Sequence, residues 1–288
     1  MIIRNAVEAG RKSENAFVAV DSLGDEYGWC RVEPHMNEQQ TPERPLEIKI
    51  SAGGRDDAQL SLLAAAMARA MVIARERPDV RARVYAEVPP GDDALMERLT
   101  ELGFADDDAL LRMRRRVVGG PITVPLPEGC APVGDRLDDP TERRFFLERQ
   151  EKLFHRDDAA AWLDELRGRP GFRRLLLTAR SGLAGELICW MEPETREGVV
   201  GLVYTVPDWR RRGVASYLME AARQYFDQCR LPAAYLPKLR FAKDRPLEDS
   251  LLEAVADVRW RQAPAVHLAA TAGYRRGETL LRLPGIDL

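Results

Sequence analysis

Three consecutive arginines followed by a glycine are the residues of this chain whose types and spacing point most directly to chemistry. The first N–H groups of a helix have no acceptor within the helix, and the helix dipole places positive charge at the same end. Glycine at such a position lets another group approach the backbone closely. These features together predict a binding site for an anion, most simply a phosphate or pyrophosphate. The segment reads, in order, Arg210, Arg211, Arg212, Gly213, Val214 and Ala215.

A strand and a helix must hold this segment in place. The run 201–206 before it is rich in β-branched and aromatic residues, which is typical of a buried strand. Pro207 then ends strand pairing, because proline has no N–H group to donate. After the segment, Leu218, Met219 and Ala222 recur at helical spacing and predict an amphipathic helix. A Walker-type phosphate loop is excluded, since its Gly-Lys-Ser/Thr ending is missing.

This stretch resembles the acetyl-coenzyme A site of the GCN5-related N-acetyltransferases, the GNAT superfamily. The family pattern is a strand, a proline, two residues and then Arg/Gln-x-x-Gly-x-Gly/Ala at a helix start, and residues 203–215 fit it throughout. The resemblance implies an acyl-CoA-dependent N-acetyltransferase with acetyl-CoA as its cosubstrate. We expect it to move an acetyl group to a primary amine, and we favour a small-molecule amine over a protein lysine or N-terminus.

The resemblance also implies which residues bind the coenzyme. In the family, coenzyme A enters where two parallel strands splay apart and leave backbone groups for its pantetheine arm. By position, Val203, Thr205 and Val206 would offer those groups on the first strand, and the segment 210–215 would hold the pyrophosphate. An N–H group near Val203 would stabilise the oxyanion that develops on the thioester carbonyl.

The residues available for acid–base chemistry match the family pattern less well than the coenzyme segment does. An amine must lose a proton before it attacks, and the family often uses a glutamate and a tyrosine for the two proton transfers. The corresponding positions here are Val199 and Ala269. We therefore predict Tyr204 on the central strand and Glu192 in the adjoining turn as the catalytic pair. Because these two side chains are missing, the alternative remains open that the protein is non-catalytic and binds acyl-CoA or acts as a scaffold.

The acceptor is expected to bind in a groove near Tyr204. Helices predicted at 142–156 and 157–167 would form one wall, as such helices do in the family. The second strand of the splay is predicted at 255–260. An extra segment, 232–250, is expected to cover the groove, to contact a partner or to decorate the surface, and the first domain is a further candidate for closing one side.

The two halves of the chain echo each other. Each runs strand, strand, helix, strand, helix, Gly-aromatic pair and strand, which is the order of the GNAT core. We therefore expect an α/β (α+β) protein with two GNAT-like domains, each a mixed, mainly antiparallel sheet flanked by helices. The proline-rich segment 121–132 marks a linker and puts the boundary near residue 118. The predicted domains are 1–118 and 119–288.

The first half lacks the residues of the anion site. After the strand predicted at 46–50 it has neither the proline nor the Arg-x-x-Gly-x-Ala pattern. Asp56 and Asp57 would repel a phosphate there, although they stabilise the start of the following helix. Too few residues precede Phe17 for the two helices that open the second half. We interpret the first half as a degenerate, structural copy that closes with the strand 110–113.

Composition favours a soluble globular protein, with 45% hydrophobic and 31% charged residues. The formal net charge of −3 gives no global attraction to nucleic acid. No apolar run reaches about 18 residues, so we expect no membrane span. The four cysteines are widely spaced and only three histidines occur, so we expect no metal site. Free thiols fit a reducing compartment, and we expect a cytoplasmic protein.

Overall fold

A computed structural model describes residues 1–5, 14–38, 41–154, 158–232 and 250–288 of the 288-residue chain. Within these ranges the chain forms two mixed sheets with helices packed on them. It divides into two compact units, the first mainly from residues 1–110 and 279–288, the second mainly from residues 111–149 and 158–278.

The elements alternate much as the sequence predicts. Up to residue 116 the chain forms β1 (Ile2–Asn5), β2 (Ala16–Val20), β3 (Glu26–Met36), β4 (Leu46–Gly54), α1 (Asp56–Arg75), β5 (Ala82–Ala86), α2 (Asp93–Glu101) and β6 (Ala109–Arg116). It continues with β7 (Ala131–Asp135), α3 (Pro140–Phe154), α4 (Ala159–Gly168), β8 (Arg173–Ala179), β9 (Gly182–Glu192), β10 (Glu197–Thr205), α5 (Val214–Gln228), β11 (Glu253–Arg259), α6 (Ala263–Thr271), β12 (Arg275–Arg282) and β13 (Gly285–Asp287).

The first sheet has the strand order β1-β2-β3-β4-β5-β13. All neighbours are antiparallel except β4 and β5, which are parallel and are connected through α1. Leu62, Leu63 and Ala66 of α1 pack against Ile48 of β4 and Val84 of β5 in one core. Burying these side chains is the main source of stability for this unit.

Helix α1 is, in the described part of the chain, the one helix long and apolar enough to cross a membrane by length and composition alone. No such helix is expected from the sequence, in which no apolar run reaches about 18 residues. Six of its side chains are buried in the described structure, and the core helix of a water-soluble protein passes the same test. These side chains are Ala58, Leu62, Leu63, Ala66, Ala70 and Ile73.

The second sheet has the strand order β12-β6-β11-β10-β9-β8-β7, with β10 and β11 parallel. Val203 of β10 packs into the core that contains Leu218 of α5. Its neighbour Leu202 packs into a separate core with Phe146 of α3 and Leu163 of α4. Successive side chains of a strand point to opposite faces. Helix α5 therefore covers one face of this sheet and helices α3 and α4 cover the other.

Two strands differ from the predicted order. The sequence predicts 110–113 as the closing strand of the first half, but β6 lies in the second sheet, between β11 and β12. In the same way β13, from the end of the sequence, pairs antiparallel with β5 in the first sheet. The predicted boundary near residue 118 comes after β6 in the chain. It therefore leaves β6, a strand of the second sheet, in the predicted first domain, and β13, a strand of the first sheet, in the predicted second domain. Hydrophobic patterning detects a strand but carries no information on its partner.

The two Gly-aromatic pairs behave alike, as the repeat predicts. Gly103 has φ 89° and Gly273 has φ 83°, both in the left-handed region that ends a helix. The N–H group of Phe104 donates to the carbonyl of Leu99 at 3.0 Å, and that of Tyr274 donates to the carbonyl of Ala269 at 3.0 Å. Both aromatic side chains are buried in their cores.

The opening helices of the second half are present with shifted ends. The helix predicted at 142–156 is α3, which begins at Pro140, and the one predicted at 157–167 is α4, which ends at Gly168. Residues 155–157 lie outside the described residues, and so do residues 233–249 of the predicted segment 232–250.

Candidate functional site

Strands β10 and β11 separate partway along their length. Their parallel pairing runs from Glu197 opposite Glu253 to Val200 opposite Ala256. Strand β10 then continues to Thr205 while still paired with β9, the last pair being Thr205 opposite Gly185. Residues 202–205 of β10 therefore lie beyond the last β11 pair and, among the described strands, pair with β9 only. We call this region the β10–β11 splay.

A bulge at Gly201 coincides with the start of the splay. The register between β9 and β10 shifts between Val200 and Leu202, so Gly201 is an extra residue on β10. The Trp190 ring lies against Gly201 so closely that any Cβ there would overlap it. A bulge bends the strand that carries it. The bend accounts for the separation of β10 from β11, and only glycine fits at the bend.

The splay presents backbone groups of β10 that β11 does not pair. Val203, Thr205 and Val206, predicted as the strand part of the coenzyme site, are all half-buried along it. The N–H group of Val206 donates to the carbonyl of Ala184 at 3.0 Å and so ends the ladder with β9. Unpaired backbone groups in such a setting are costly unless a ligand or water satisfies them.

The arginine-glycine segment follows the splay directly. Residues Pro207–Trp209 form a short 3₁₀ turn, and the N–H group of Trp209 donates to the carbonyl of Val206 at 2.8 Å. Arg211 then has φ 60° and Gly213 has φ 83°, the second at the N-cap of α5. Two left-handed residues so close together turn the chain sharply, and the strain at Arg211 is typical of a functional loop.

The start of α5 is open to solvent at Gly213 and packed against the core at Val214. A Cβ at Gly213 would meet nothing within 4 Å, so the space over this N-cap is free for a ligand. Val214, by contrast, is buried in the core and packs against Gly185. The first N–H groups of α5 thus lie at a fixed distance from the sheet and have no acceptor within the helix. Ala215 is half-buried beside them.

The three arginines directly precede this helix start in the chain, and all three are exposed. Arg210 Nε donates to the carbonyl of Thr205 at 3.4 Å, which joins the segment to the splay. The Arg212 guanidinium stacks over the Trp209 ring at 5.2 Å. The structure therefore brings all the predicted coenzyme residues into one region, from Val203 to Ala215.

Tyr204 lies in the splay on the face covered by α3 and α4. It shares this face with Leu202, two residues before it, and it is opposite Glu186 in the register of β9. The side chain is 8% exposed. Burial raises the pKa of Tyr204 and the nearby Glu186 carboxylate raises it too, whereas Arg149 and Arg210 lower it. The hydroxyl therefore keeps its proton at neutral pH.

A buried carboxylate next to Tyr204 was missed by the sequence analysis. Glu186 is fully buried and accepts from Arg149 Nε at 2.8 Å, Arg149 Nη2 at 2.9 Å and Arg174 Nε at 2.9 Å. Arg174 continues to Asp135 and Glu142, each at 3.2 Å. A charge inside the apolar run 183–191 was the available signal, since a buried acid must be paired.

Glu192, the second predicted catalytic residue, is not near Tyr204. It pairs in register with Glu197 at the beginning of β10, seven positions before Tyr204, and a strand rises about 3.3 Å per residue. The carboxylate accepts from Arg169 Nη1 at 2.8 Å and from Trp190 Nε1 at 2.9 Å. The structure therefore does not bring the predicted pair together.

The positions where the family carries acid–base residues are apolar and buried here. Val199 is 7% exposed on β10 and Ala269 is 2% exposed on α6. His267, two residues before Ala269, is exposed. Within the described ranges, no group of three or more His, Cys, Asp or Glu side chains is placed to hold a metal ion.

A family model agrees with this geometry. The model of the Acetyltransferase (GNAT) family matches residues 137–243, a range that holds β10, its splay and the arginine-glycine segment. Over this range the chain is therefore similar to the GNAT acetyltransferases, as the sequence predicts. No curated protein matches the sequence.

Solved structures with the same fold cover nearly the whole chain. A GCN5-related N-acetyltransferase from Sphaerobacter thermophilus is 14% identical, with TM-score 0.50, and the match covers 95% of this chain and 80% of that one. A probable N-acyltransferase of unknown function from Enterococcus faecalis V583 is 9% identical, with TM-score 0.52 and coverages of 94% and 61%. A glucosamine N-acetyltransferase region of a fungal β-N-acetylglucosaminidase is 13% identical, with TM-score 0.51, and the match covers 94% of this chain but 33% of that protein.

These matches extend over both units, so the predicted α/β fold with two GNAT-like domains is confirmed. Because the identities are low, they bear on the fold and not on the substrate.

Proposed function

We propose that this protein is an acyl-CoA-dependent N-acetyltransferase that moves an acetyl group to the primary amine of a small molecule. The observation that carries the proposal is the continuity of the β10–β11 splay with the open helix start at Gly213. A strand edge and an anion-binding helix end, joined by Arg210, match a ligand with an extended amide arm and a diphosphate.

The residues present fit acetyl-CoA. The N–H groups at the start of α5 and the guanidinium groups of Arg210, Arg211 and Arg212 would hold its pyrophosphate, and the edge of β10 at Val203 and Thr205 would pair with its pantetheine amides. When bound, acetyl-CoA supplies the activated acetyl group. Gly213 supports this fit because the space above it is free.

The chain supplies charge stabilisation and a proton for the transfer. As the substrate amine forms its bond to the acetyl carbon, an N–H group near Val203 stabilises the oxyanion. Tyr204 would give its proton to the leaving sulfur and regain one from the attacking nitrogen, which loses a proton as it becomes an amide; the raised pKa of Tyr204 supports this role because the hydroxyl stays protonated at neutral pH. Glu186 holds Arg149 beside Tyr204 and so positions that cation.

A non-catalytic protein that binds acyl-CoA is the second candidate function. It is favoured by the buried, apolar side chains at Val199 and Ala269 and by the distance of Glu192 from Tyr204. A protein lysine or N-terminus remains an alternative acceptor for the enzyme.

The remaining expectations are part of the same proposal. The first unit serves as a degenerate, structural copy, because Asp56 and Asp57 stand at the start of α1 where the second unit has arginines and glycine. The protein acts in the cytoplasm on a small-molecule partner, without nucleic acid or membrane. The net charge of −3 and the four free cysteines support this assignment.

The test is an assay of free thiol release from acetyl-CoA with a panel of primary amines, including amino acids, polyamines, aminoglycosides and lysine peptides. We expect turnover with at least one small amine and none in Gly213→Asp. Binding of acetyl-CoA by calorimetry without turnover on any amine would instead favour the non-catalytic protein. The absence of binding would contradict both.

A further inference from the structure

Arg149 of α3 is bonded firmly along one of its edges. Its Nε and Nη2 atoms donate to the two carboxylate oxygens of Glu186, at 2.8 and 2.9 Å. Among the described residues, Nη1 donates only to the carbonyl of Phe145, one turn earlier in the same helix, at 3.5 Å. A guanidinium group has five N–H groups, two of them on each terminal nitrogen. One hydrogen on Nη1 and one on Nη2 therefore remain, and we call this pair the outer edge of Arg149.

The outer edge of Arg149 is accessible, whereas the second arginine bound to Glu186 is enclosed. The side chain of Arg149 is 18% exposed, and that of Arg174 is 3% exposed. Arg174 donates to Glu186 through Nε, and its Nη1 atom donates to Asp135 and Glu142 as well. Arg174 is therefore occupied with neutralising carboxylates of the protein. Because Arg174 also serves Glu186, Arg149 can bind a second anion.

Positive charge predominates around the hydroxyl of Tyr204. Burial is the largest cause of its raised pKa, and the charged groups that act on that pKa are Arg149, Arg210 and Glu186. Glu186 lies opposite Tyr204 in the β9–β10 register, and two arginines already neutralise it. The remaining carboxylates of this network are farther away. They are Asp135 on β7, three strands or about 14 Å from β10, and Glu142 on α3, seven residues or about 10 Å before Arg149.

We propose that the acceptor amine also carries a carboxylate, as an amino acid does, and that the outer edge of Arg149 binds this carboxylate. The inference rests on the proposed transferase function and names the class of its acceptor. A planar guanidinium edge binds both oxygens of a carboxylate through parallel hydrogen bonds, which orients the bound molecule. In an α-amino acid a single carbon separates the amine from the carboxylate, so a carboxylate on Arg149 holds the amine near Tyr204. Polyamines and aminoglycosides are disfavoured, because they bring more positive charge to the two arginines.

The transfer to such an acceptor balances without a further reactant. The amine nitrogen forms a bond to the acetyl carbon as the bond from that carbon to sulfur breaks. The nitrogen loses one proton, and the leaving sulfur gains one through Tyr204. The products are an N-acetyl amino acid and the free thiol of coenzyme A.

The experiment uses the full chain, acetyl-CoA and acceptors in matched sets. Each set holds an amino acid, its amide and its decarboxylated amine, for example phenylalanine, phenylalaninamide and phenethylamine, or lysine, lysinamide and 1,5-diaminopentane. Release of free thiol gives kcat/KM for each compound. We expect at least one amino acid to exceed both other members of its set by at least about tenfold, because only the amino acid has a carboxylate for Arg149.

Two variants remove the outer edge without leaving a buried charge unpaired. Arg149→Lys keeps a cation for Glu186 but lacks the planar edge, and Arg149→Gln combined with Glu186→Gln removes both members of the pair. Each should lower the ratio of kcat/KM between the amino acid and its decarboxylated amine toward one. A merely structural role of Arg149 would lower both values together and keep the ratio. Arg144→Gln, on the same helix and exposed, is the matched control and should keep the wild-type ratio.

The outcomes separate this inference from the function on which it rests. Turnover of a polyamine, an aminoglycoside or a decarboxylated amine at or above that of every amino acid would overturn the inference and leave the transferase in place. An amino-acid preference that survives in both Arg149 variants would overturn the assignment of the carboxylate to Arg149. Failure to acetylate any amine would overturn the proposed transferase and, with it, the inference.

Discussion

The two units separate the same pair of parallel strands by different means. In the second unit a bulge at Gly201 bends β10 away from β11, and left-handed residues then lead into an open helix start. In the first unit β4 keeps an unbroken register with β3, and α1 begins with Asp56 and Asp57. In both units the first of the two parallel strands thus runs past the end of their pairing. We expect the helix start that follows to decide which ligand each unit can bind.

The largest effect is expected from removing the helix start of the second unit. The double variant Arg210→Ala, Gly213→Asp should lose all measurable acetyl-CoA binding in calorimetry. The aspartate places a charge and a side chain in the open space above the N-cap, and Gly213 has φ 83°, which disfavours any side chain.

The matched control is Arg55→Ala, at the helix start of the first unit. Its side chain pairs with Asp57 at 2.9 Å and is exposed. We expect unchanged acetyl-CoA affinity. A comparable loss in this control would mean that the first unit binds the coenzyme, and the comparison would fail.

Tyr204→Phe is expected to lower kcat by about a hundredfold or more, the usual size of a general-acid contribution. Binding of acetyl-CoA should be unchanged, because only the hydroxyl is removed. Tyr217→Phe is the control, since Tyr217 lies one turn inside α5 and has no predicted role. An unchanged kcat in Tyr204→Phe would remove this residue from the mechanism.

The same variant should alter stability at high pH. Because burial raises the folded pKa of Tyr204 above the unfolded value of about 10, its stabilising effect is complete below pH 10. That contribution is lost as pH rises from the unfolded pKa through the folded one. As pH rises above 10, the Tm of Tyr204→Phe should therefore fall less than the Tm of the wild type. Identical pH profiles would show that burial does not perturb this group.

Glu186→Gln should cost about 3 kcal/mol of unfolding free energy, because it leaves Arg149 and Arg174 without a buried anion. Counted back seven residues from Pro34 in β3 and from Pro193 after β9, the first unit has Tyr27 where the second has Glu186. Denaturant unfolding measures the effect. Glu192→Gln is the control and should cost less than about 1 kcal/mol, since its carboxylate is partly exposed.

The smallest effect is expected at the acidic helix start of the first unit. Asp56→Asn and Asp57→Asn should each destabilise the protein by about 0.3–1 kcal/mol, because both carboxylates are exposed and act on the dipole of α1. Neither should create acetyl-CoA binding at the first unit, since the N-cap of α1 is Arg55 and not a left-handed glycine, and the run of three arginines is missing. A gain of binding in calorimetry would show that charge alone separates the two units.

Local patterns predicted the elements of this fold well. The strands, the helices and the left-handed Gly103 and Gly273 follow from periodicity and from glycine chemistry, which act over a few residues. The arginine-glycine segment was equally local, so its place between a strand and a helix start could be predicted from spacing alone. The pairing partners of β6 and β13 could not be predicted from the sequence, because strand pairing depends on contacts between residues far apart in the chain.

Candidates for the acid–base chemistry were harder to predict for a related reason. Glu192 was chosen from its proximity in sequence to β10, but antiparallel pairing places it at the far end of that strand from Tyr204. Glu186, on the same strand as Glu192, is the one that faces Tyr204. The bulge at Gly201 also went unpredicted, because the Trp190 ring that packs against Gly201 comes from a neighbouring strand.

The pairing of β13 with β5 has a consequence for how the protein is made. Residues 83–85 can pair with β13 only after residues 285–287 have been synthesised. About 200 further residues therefore leave the ribosome before this edge of the first sheet is covered. At ordinary rates of translation that takes roughly 10–40 s. An open strand edge invites pairing with other nascent chains. A chaperone would therefore matter most to this protein during translation, while the β5 edge of the first unit is still uncovered.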